Sequence, residues 1–199
     1  MDDKRAALIR GAILCVAREG VGAASTRDIA ELAGISDSHI YRFFKDRDEL
    51  INTAYIETSG RLVGEINRRI LSLQENNFGM DFESCFRVVF HAAWRNLLDD
   101  PEICRFLVYY YHSPNFMRSA YSEHCIQMGR LAASTMEILG GLQEANSCIF
   151  IMFTQLYDFA MQVANGIRED TGQTEEDFFQ IMFQMRAVQQ HIARRETPK

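Results

Sequence analysis

The chain reads as all-α: an N-terminal three-helix unit followed by a larger C-terminal helical bundle. Three observations point there. Apolar residues recur with helical spacing through most of the 199 residues, and no useful stretch alternates apolar and polar with period two. Hydrophobic residues make up 47% of the chain and prolines number three, which suits a compact helical protein. Capping-box spacings at Ser25/Asp28, Asp46/Glu49 and Thr174/Asp177 mark where helices begin. The expected division is residues 1–50 and residues 51–199.

Residues 4–19 form the first amphipathic helix, with Ile9, Ala12, Ile13, Val16 and Ala17 on one face and Gly20 and Gly22 ending it. Ser25 caps a short helix from Thr26, whose apolar face is Ile29, Ala30, Leu32 and Ala33. Gly34 supplies the positive φ that stops it, and Ile35 turns back toward the core. Ser36 then caps a second short helix over about Asp37–Phe43. Ile40, Phe43 and Phe44 point inward there, while Ser38, His39 and Arg42 point out. Asp46 starts the next helix, whose pattern (Leu50, Ile51, Ala54, Leu62, Ile66, Ile70, Leu73) runs to about Gln74; Gly60 and Gly64 suggest a bend or a close helix crossing.

Beyond a loop at Asn76–Gly79, Asp81 caps a helix to about Leu98 that buries Phe86, Phe90, Ala93, Trp94 and Leu97. Asp99-Asp100-Pro101 closes it and opens another, with proline in the favourable first turn. A further helix spans about Asn115–Leu139, with room for a break, and ends at Gly140-Gly141. Glu144–Ala164 is apolar nearly all round and so must be covered on every side. After a loop over Gly166–Gly172, the last helix starts at Thr174 and carries two apolar stripes.

Two caps, a glycine turn and a short second helix with a polar outer face are the layout of a helix-turn-helix. The segments TRDIA, AGIS and IYRFFKDRDEL, in that order and spacing, closely resemble the DNA-binding domain of the TetR family of bacterial transcriptional regulators over about residues 6–52. The resemblance implies that the second short helix reads the major groove and that the helix from Arg47 carries ligand-driven motion to it. Base reading needs short polar or forked side chains near that helix's N-terminus, which selects Asp37, Ser38, His39 and Arg42; Ser36, at the N-cap, is a further DNA-binding candidate. Arg42 suits guanine O6 and N7. Asp37 departs from the small or basic residue usual in the family. Tyr41 and Lys45 match the family's phosphate contacts, and Thr26 and Arg27 at a helix N-terminus suit the same role.

Net charge is −6, and residues 1–52 hold eight Lys/Arg against nine Asp/Glu. A nucleic-acid face therefore requires local sorting of Arg27, Arg42 and Lys45, with Lys4, Arg5 and Arg47 as further candidates. The five cysteines are scattered without a C-x-x-C pair, as expected of reduced thiols in helical cores. The N-terminus is no signal peptide, and the longest apolar run, Cys148–Phe153, is too short for a membrane span. A cytoplasmic location follows as the expectation.

The chain's fourteen Phe, nine Met and seven Tyr, most of them in residues 51–199, suit an adaptable apolar cavity as well as a plain core. Trp94, Phe106, Tyr109, Tyr110, Met117 and Tyr121 are the candidate effector contacts. Phe150, Phe153, Tyr157, Met161, Phe178, Met182 and Met185, on the last two helices, are the candidate homodimer interface. His91, His112 and His124 lack metal-ligand spacing, and no nucleophile elbow, phosphate loop or HExxH occurs, so neither metal, cofactor nor catalytic residue is expected. The expected function is a ligand-responsive regulator, a repressor, that binds a pseudo-palindromic double-stranded DNA operator as a homodimer and is released by a small apolar effector. Two alternatives stay open: a DNA-binding adaptor of the same fold controlled by a protein partner, and a helical-bundle enzyme centred on residues 91–124.

Overall fold

The computed structural model describes residues 2–75, 82–139 and 142–196, and all regular structure among them is helical. The α-helices are α1 (Asp2–Glu19), α2 (Thr26–Leu32), α3 (Arg47–Glu75), α4 (Phe82–Leu98), α5 (Pro101–Tyr111), α6 (Tyr121–Leu139), α7 (Leu142–Ala164) and α8 (Gly172–Glu196). A 3-10 helix occupies Asp37–Arg42 and a π-helical turn Phe116–Ala120. The loop expected at Asn76–Gly79, the cap at Asp81 and the stop at Gly140-Gly141 lie outside the described residues. The chain divides into two compact units, Met1–Val63 with Leu97–Gln127, and Gly64–Asn96 with Met128–Lys199.

The first unit is built on α1, which packs on both α2 and α5. Leu8, Ala12, Ile13 and Val16 of α1 meet a core that also takes in Ile29, Ile40, Leu50, Ile51 and Leu107, all at most 2% exposed. Gly11 lets α1 approach α2 closely: a Cβ there would stand 2.5 Å from the carbonyl oxygen of Ile29. Tyr55 of α3 stacks on Tyr110 of α5 at 4.8 Å between ring centres, and the Tyr110 hydroxyl donates to Asn52 Oδ1 at 3.0 Å. Burial pushes the Tyr110 phenol up to about 12. Where α3 meets α6, Ser59 Oγ donates to Gln127 Oε1 at 3.2 Å and a Cβ on Gly60 would lie 3.3 Å from Gln127 Nε2. Gly60 thus marks a close crossing, one of the two roles its position in the helix suggested.

Asp100 caps α5, accepting from the backbone N–H groups of Glu102 and Ile103 at 3.1 and 3.3 Å, with Pro101 in the first turn as expected. The break expected after Asn115 is the π turn, which seats Phe116 in the core beside Tyr55, Tyr111 and His124.

The second unit has an aromatic core. Phe90 and Trp94 of α4 lie against Phe179 and Phe178 of α8, with ring centres 5.6 and 5.3 Å apart, and Phe178 stacks flat on Phe159 of α7 at 4.3 Å. One helix start differs from expectation. Thr171, not Thr174, caps α8: its Oγ1 accepts the Thr174 N–H at 3.1 Å, which moves the first turn three residues earlier. Cys15 and Cys104 are buried free thiols and Cys125 is a half-buried one; burial pushes Cys104 up to about 12.

Candidate nucleic-acid interface

Short-range hydrogen bonds set the interface. Ser25 Oγ accepts the Asp28 N–H at 3.2 Å, so α2 begins at Thr26. At its other end the Ile35 N–H bonds the Ala30 carbonyl and the Gly34 N–H bonds the Glu31 carbonyl, both at 3.0 Å, with Gly34 at φ 66°. That pair of bonds is a Schellman motif, and the left-handed residue it requires favours glycine. The chain leaves it directly into the short segment that follows.

The expected short helix over about Asp37–Phe43 is present as a 3-10 helix over Asp37–Arg42, with Phe43 its C-cap. Ser36 is its N-cap residue but makes no side-chain cap; its Oγ instead meets Ser38 Oγ at 2.8 Å. The first bond closes early, from the His39 N–H to the Ser36 carbonyl, three residues apart. Ile40 (0% exposed) and Phe44 (4%) anchor the segment to the core. Asp46 then caps α3 by accepting the Glu49 N–H at 2.8 Å, while Glu49 accepts the Lys45 N–H.

The outward face carries the selected residues. Ser36, Asp37, Ser38, Arg42 and Lys45 are exposed, Tyr41 is 62% exposed, and Arg27 projects from α2; Thr26 and His39 are half-buried. Lys4 Nζ approaches His39 Nε2 at 3.3 Å, which brings the N-terminus of α1 beside the segment. Two cations considered for this face are engaged elsewhere. Arg47 donates to the Ala24 carbonyl at 3.0 Å and pairs with Asp48, and Arg5 pairs with Glu57 and lies 5.6 Å over the Phe44 ring. Arg27, Arg42 and Lys45 make no ion pair among the described residues, so the charge is sorted locally despite the acidic balance.

Of the candidate effector residues, Phe106 and Tyr110 stand with ring centres 6.4 Å apart. Trp94 is fully buried in the second unit, and Phe106 and Tyr110 are buried in the first. Tyr109 (37%), Met117 (63%) and Tyr121 (44%) face solvent. Two described cavities are lined by none of the six. One, of about 560 Å³ in the second unit, has Phe90 and Phe179 at its base and Arg69, Arg87, His91 and Glu175 around it. The other, of about 660 Å³ in the first unit, lies where α1 meets α3 and α5. Helical spacing cannot show that residues as distant as 5 and 103 share a wall, so sequence reasoning missed both.

Of the candidate interface residues, Phe153, Tyr157, Phe178 and Met182 are buried within the protomer itself, and Phe150, Met161 and Met185 are half-buried. Among the described residues, the large apolar side chains of α7 and α8 that face solvent are Ile151 (39%) and Ile181 (44%). Among the described residues no group of three His, Cys, Asp or Glu side chains is placed to hold a metal ion, and no helix is long and apolar enough to cross a membrane.

A short polar helix seated on a buried isoleucine and phenylalanine, behind a glycine turn and beside the end of a supporting helix, defines a helix-turn-helix DNA-binding module. Residues 8–54 match the family model "Bacterial regulatory proteins, tetR family", a match that spans α2, the glycine turn and the 3-10 segment. Whole-chain likeness extends the fold. A TetR-family transcription regulator from Marinobacter aquaeolei VT8 is similar at 21% identity and TM-score 0.70, over 92% of this chain and 95% of that one. A putative transcriptional regulator from Pseudomonas aeruginosa PAO1 matches at 20% identity and TM-score 0.70, over 97% and 93%. The regulator FadR from Bacillus subtilis, in complex with stearoyl-CoA, matches at 13% identity and TM-score 0.65, over 89% and 96%.

Proposed function

We propose that this chain is a cytoplasmic, ligand-responsive transcriptional repressor that binds a pseudo-palindromic operator as a homodimer. In this reading residues 1–50 bind DNA, residues 51–199 bind the effector and dimerise, and the chain has no catalytic role. The observation that carries it is the unpaired cationic face of Arg27, Arg42 and Lys45 around a short helix whose inward side is Ile40 and Phe44. Arg42 and His39 read base edges; Thr26, Arg27, Tyr41 and Lys45 hold phosphates. Two such helices on a two-fold axis meet successive major grooves. A fold neighbour in complex with stearoyl-CoA supports an effector with a long apolar part. Release requires that the effector favour one state: a hundredfold loss of operator affinity corresponds to about 2.7 kcal/mol of coupling.

One observation favours a second reading, in which a protein partner replaces the small molecule. Tyr109, Met117, Tyr121 and Ile126, between 37% and 63% exposed, put apolar side chains of α5, the π turn and α6 in solvent. Selection of bound sequences from a random DNA pool, with the purified protein at moderate salt, tests the shared DNA claim. A two-fold-related motif is the expected result. Recovery of nothing above background would overturn it.

A further inference from the structure

The 660 Å³ cavity of the first unit has a composition that its surroundings do not explain. Its floor is four isoleucines, Ile9 and Ile13 from α1, Ile56 from α3 and Ile103 from α5. Its rim is Arg5, Arg10 and Arg61 against one carboxylate, Glu57. Two of those arginines are already satisfied. Arg5 pairs with Glu57 at 2.5 Å, and Arg10 bonds Asp100 at 2.9 Å and reaches Glu102 at 3.5 Å. Arg61 is exposed and makes no ion pair among the described residues. The cavity therefore offers an aliphatic floor, one uncommitted guanidinium at its edge, and a size within the range of small-molecule sites.

We propose that this cavity binds an amphipathic monoanion, an aliphatic carboxylate whose tail lies on the isoleucine floor and whose head pairs with Arg61. A guanidinium fork matches a carboxylate in two parallel hydrogen bonds, which a lysine ammonium cannot reproduce. A flat or strongly polar ligand gains little from four branched aliphatic side chains, whereas each methylene seated on them adds about fourfold in affinity. A dianion is disfavoured by Glu57, Asp100 and Glu102, which already neutralise the other two arginines.

The site adjoins the recognition segment through α1. Arg5 lies over Phe44, and its neighbour Lys4 reaches His39. An occupant of the cavity thus lies beside Arg5, two contacts from the base-reading face; that consequence rests on the regulator reading, while binding itself does not.

Calorimetric titration of the full chain with octanoate, decanoate and dodecanoate tests the site without DNA. The expected result is one ligand per chain, affinity rising roughly fifteenfold for each two methylenes, and a loss of about tenfold in Arg61→Ala for dodecanoate. Dodecanol should bind the wild type about as weakly as dodecanoate binds that variant. Arg61 is exposed, so its replacement leaves the core intact. A second variant, Ile56→Asn, should abolish the chain-length dependence. No binding by dodecanoate, equal binding of dodecanol, or dodecanoate affinity unchanged in Arg61→Ala would each overturn the proposal. All three leave the DNA claim standing.

Discussion

A methyl group on Gly11 would stand 2.5 Å from the carbonyl oxygen of Ile29, closer than any real Cβ contact. The atom it meets is backbone, so relief requires α1 and α2 to move apart. Alanine raises helix propensity by about 1 kcal/mol over glycine, but overpacking a close-packed contact costs about 1–3 kcal/mol. Gly11→Ala is therefore expected to destabilise the chain by about 1 kcal/mol or more in urea unfolding. Gly64→Ala, in α3 with nothing within 4 Å of the added carbon, is the control and should stabilise by about 0.5–1 kcal/mol.

The two classes of DNA contact separate by mutation. Arg42→Ala should cost about 1–3 kcal/mol and relax preference at one base position. Lys45→Ala should weaken binding evenly across sequences and lower the salt slope by about one. Fluorescence anisotropy on a set of single-base operator variants, at several salt concentrations, distinguishes them. A uniform loss for Arg42→Ala would reassign it to the phosphates.

His124, 3% exposed among Tyr111 and Phe116, is held neutral by burial, which lowers its pKa from 6.5 to about 4. The unfolded chain takes up this proton below pH 6.5, whereas the folded chain does so only near 4. Across that window the unfolded state binds more protons, so stability falls as pH falls. The expected loss is about 3 kcal/mol between pH 6.5 and 4. His124→Gln removes the titration, and its unfolding free energy should decline less over the same range. Parallel curves for the two proteins would assign the acid sensitivity elsewhere.

Arg87 of α4 holds α8 in two ways. Its guanidinium lies 3.8 Å over the Phe179 ring and bonds both Glu176 and Glu83. The hydrogen bond from Arg87 holds the Glu176 carboxyl below its ordinary range. Both charged partners are 41% exposed, so the ion pair itself contributes little, and the ring contact should dominate. Arg87→Ala is expected to cost about 1–2 kcal/mol and Glu176→Gln at most a few tenths. Arg87→Lys should fall between, because an ammonium does not stack. Thermal unfolding of the three variants checks the order.

What could be read from the sequence was set by how far apart the interacting atoms lie along the chain. Ser25, Gly34, Asp46 and Asp100 act on groups within two to five residues, and each does in the structure what its spacing implied. Thr171 shows the limit even at short range. Two threonines three residues apart both fit a cap, and the choice fell to the earlier one. Apolar periodicity marked Trp94 as inward, but as candidate effector contacts the sequence could not separate Trp94 and Phe106, which are buried, from Met117 and Tyr121, which lie in solvent in and just after the π turn. The contacts of Gly11 with Ile29, and of Ile103 with the cavity wall, join residues distant in sequence, and no local pattern announces them.

The 3-10 winding of Asp37–Arg42 alters what the duplex meets. At about 3.0 residues per turn, residues three apart stand in line, so the segment is a three-sided prism instead of a spiral. Its six residues reach roughly 12 Å, where an α-helix would reach roughly 9 Å. Asp37 falls on the edge of Ile40, the side moored to the core, while His39 shares an edge with Arg42 and Ser38 with Tyr41. The one acid in the segment is thereby turned about a third of a revolution from the arginine edge. A chain that is acidic on balance sets His39 and Arg42 along one edge and keeps the segment's carboxylate off that line.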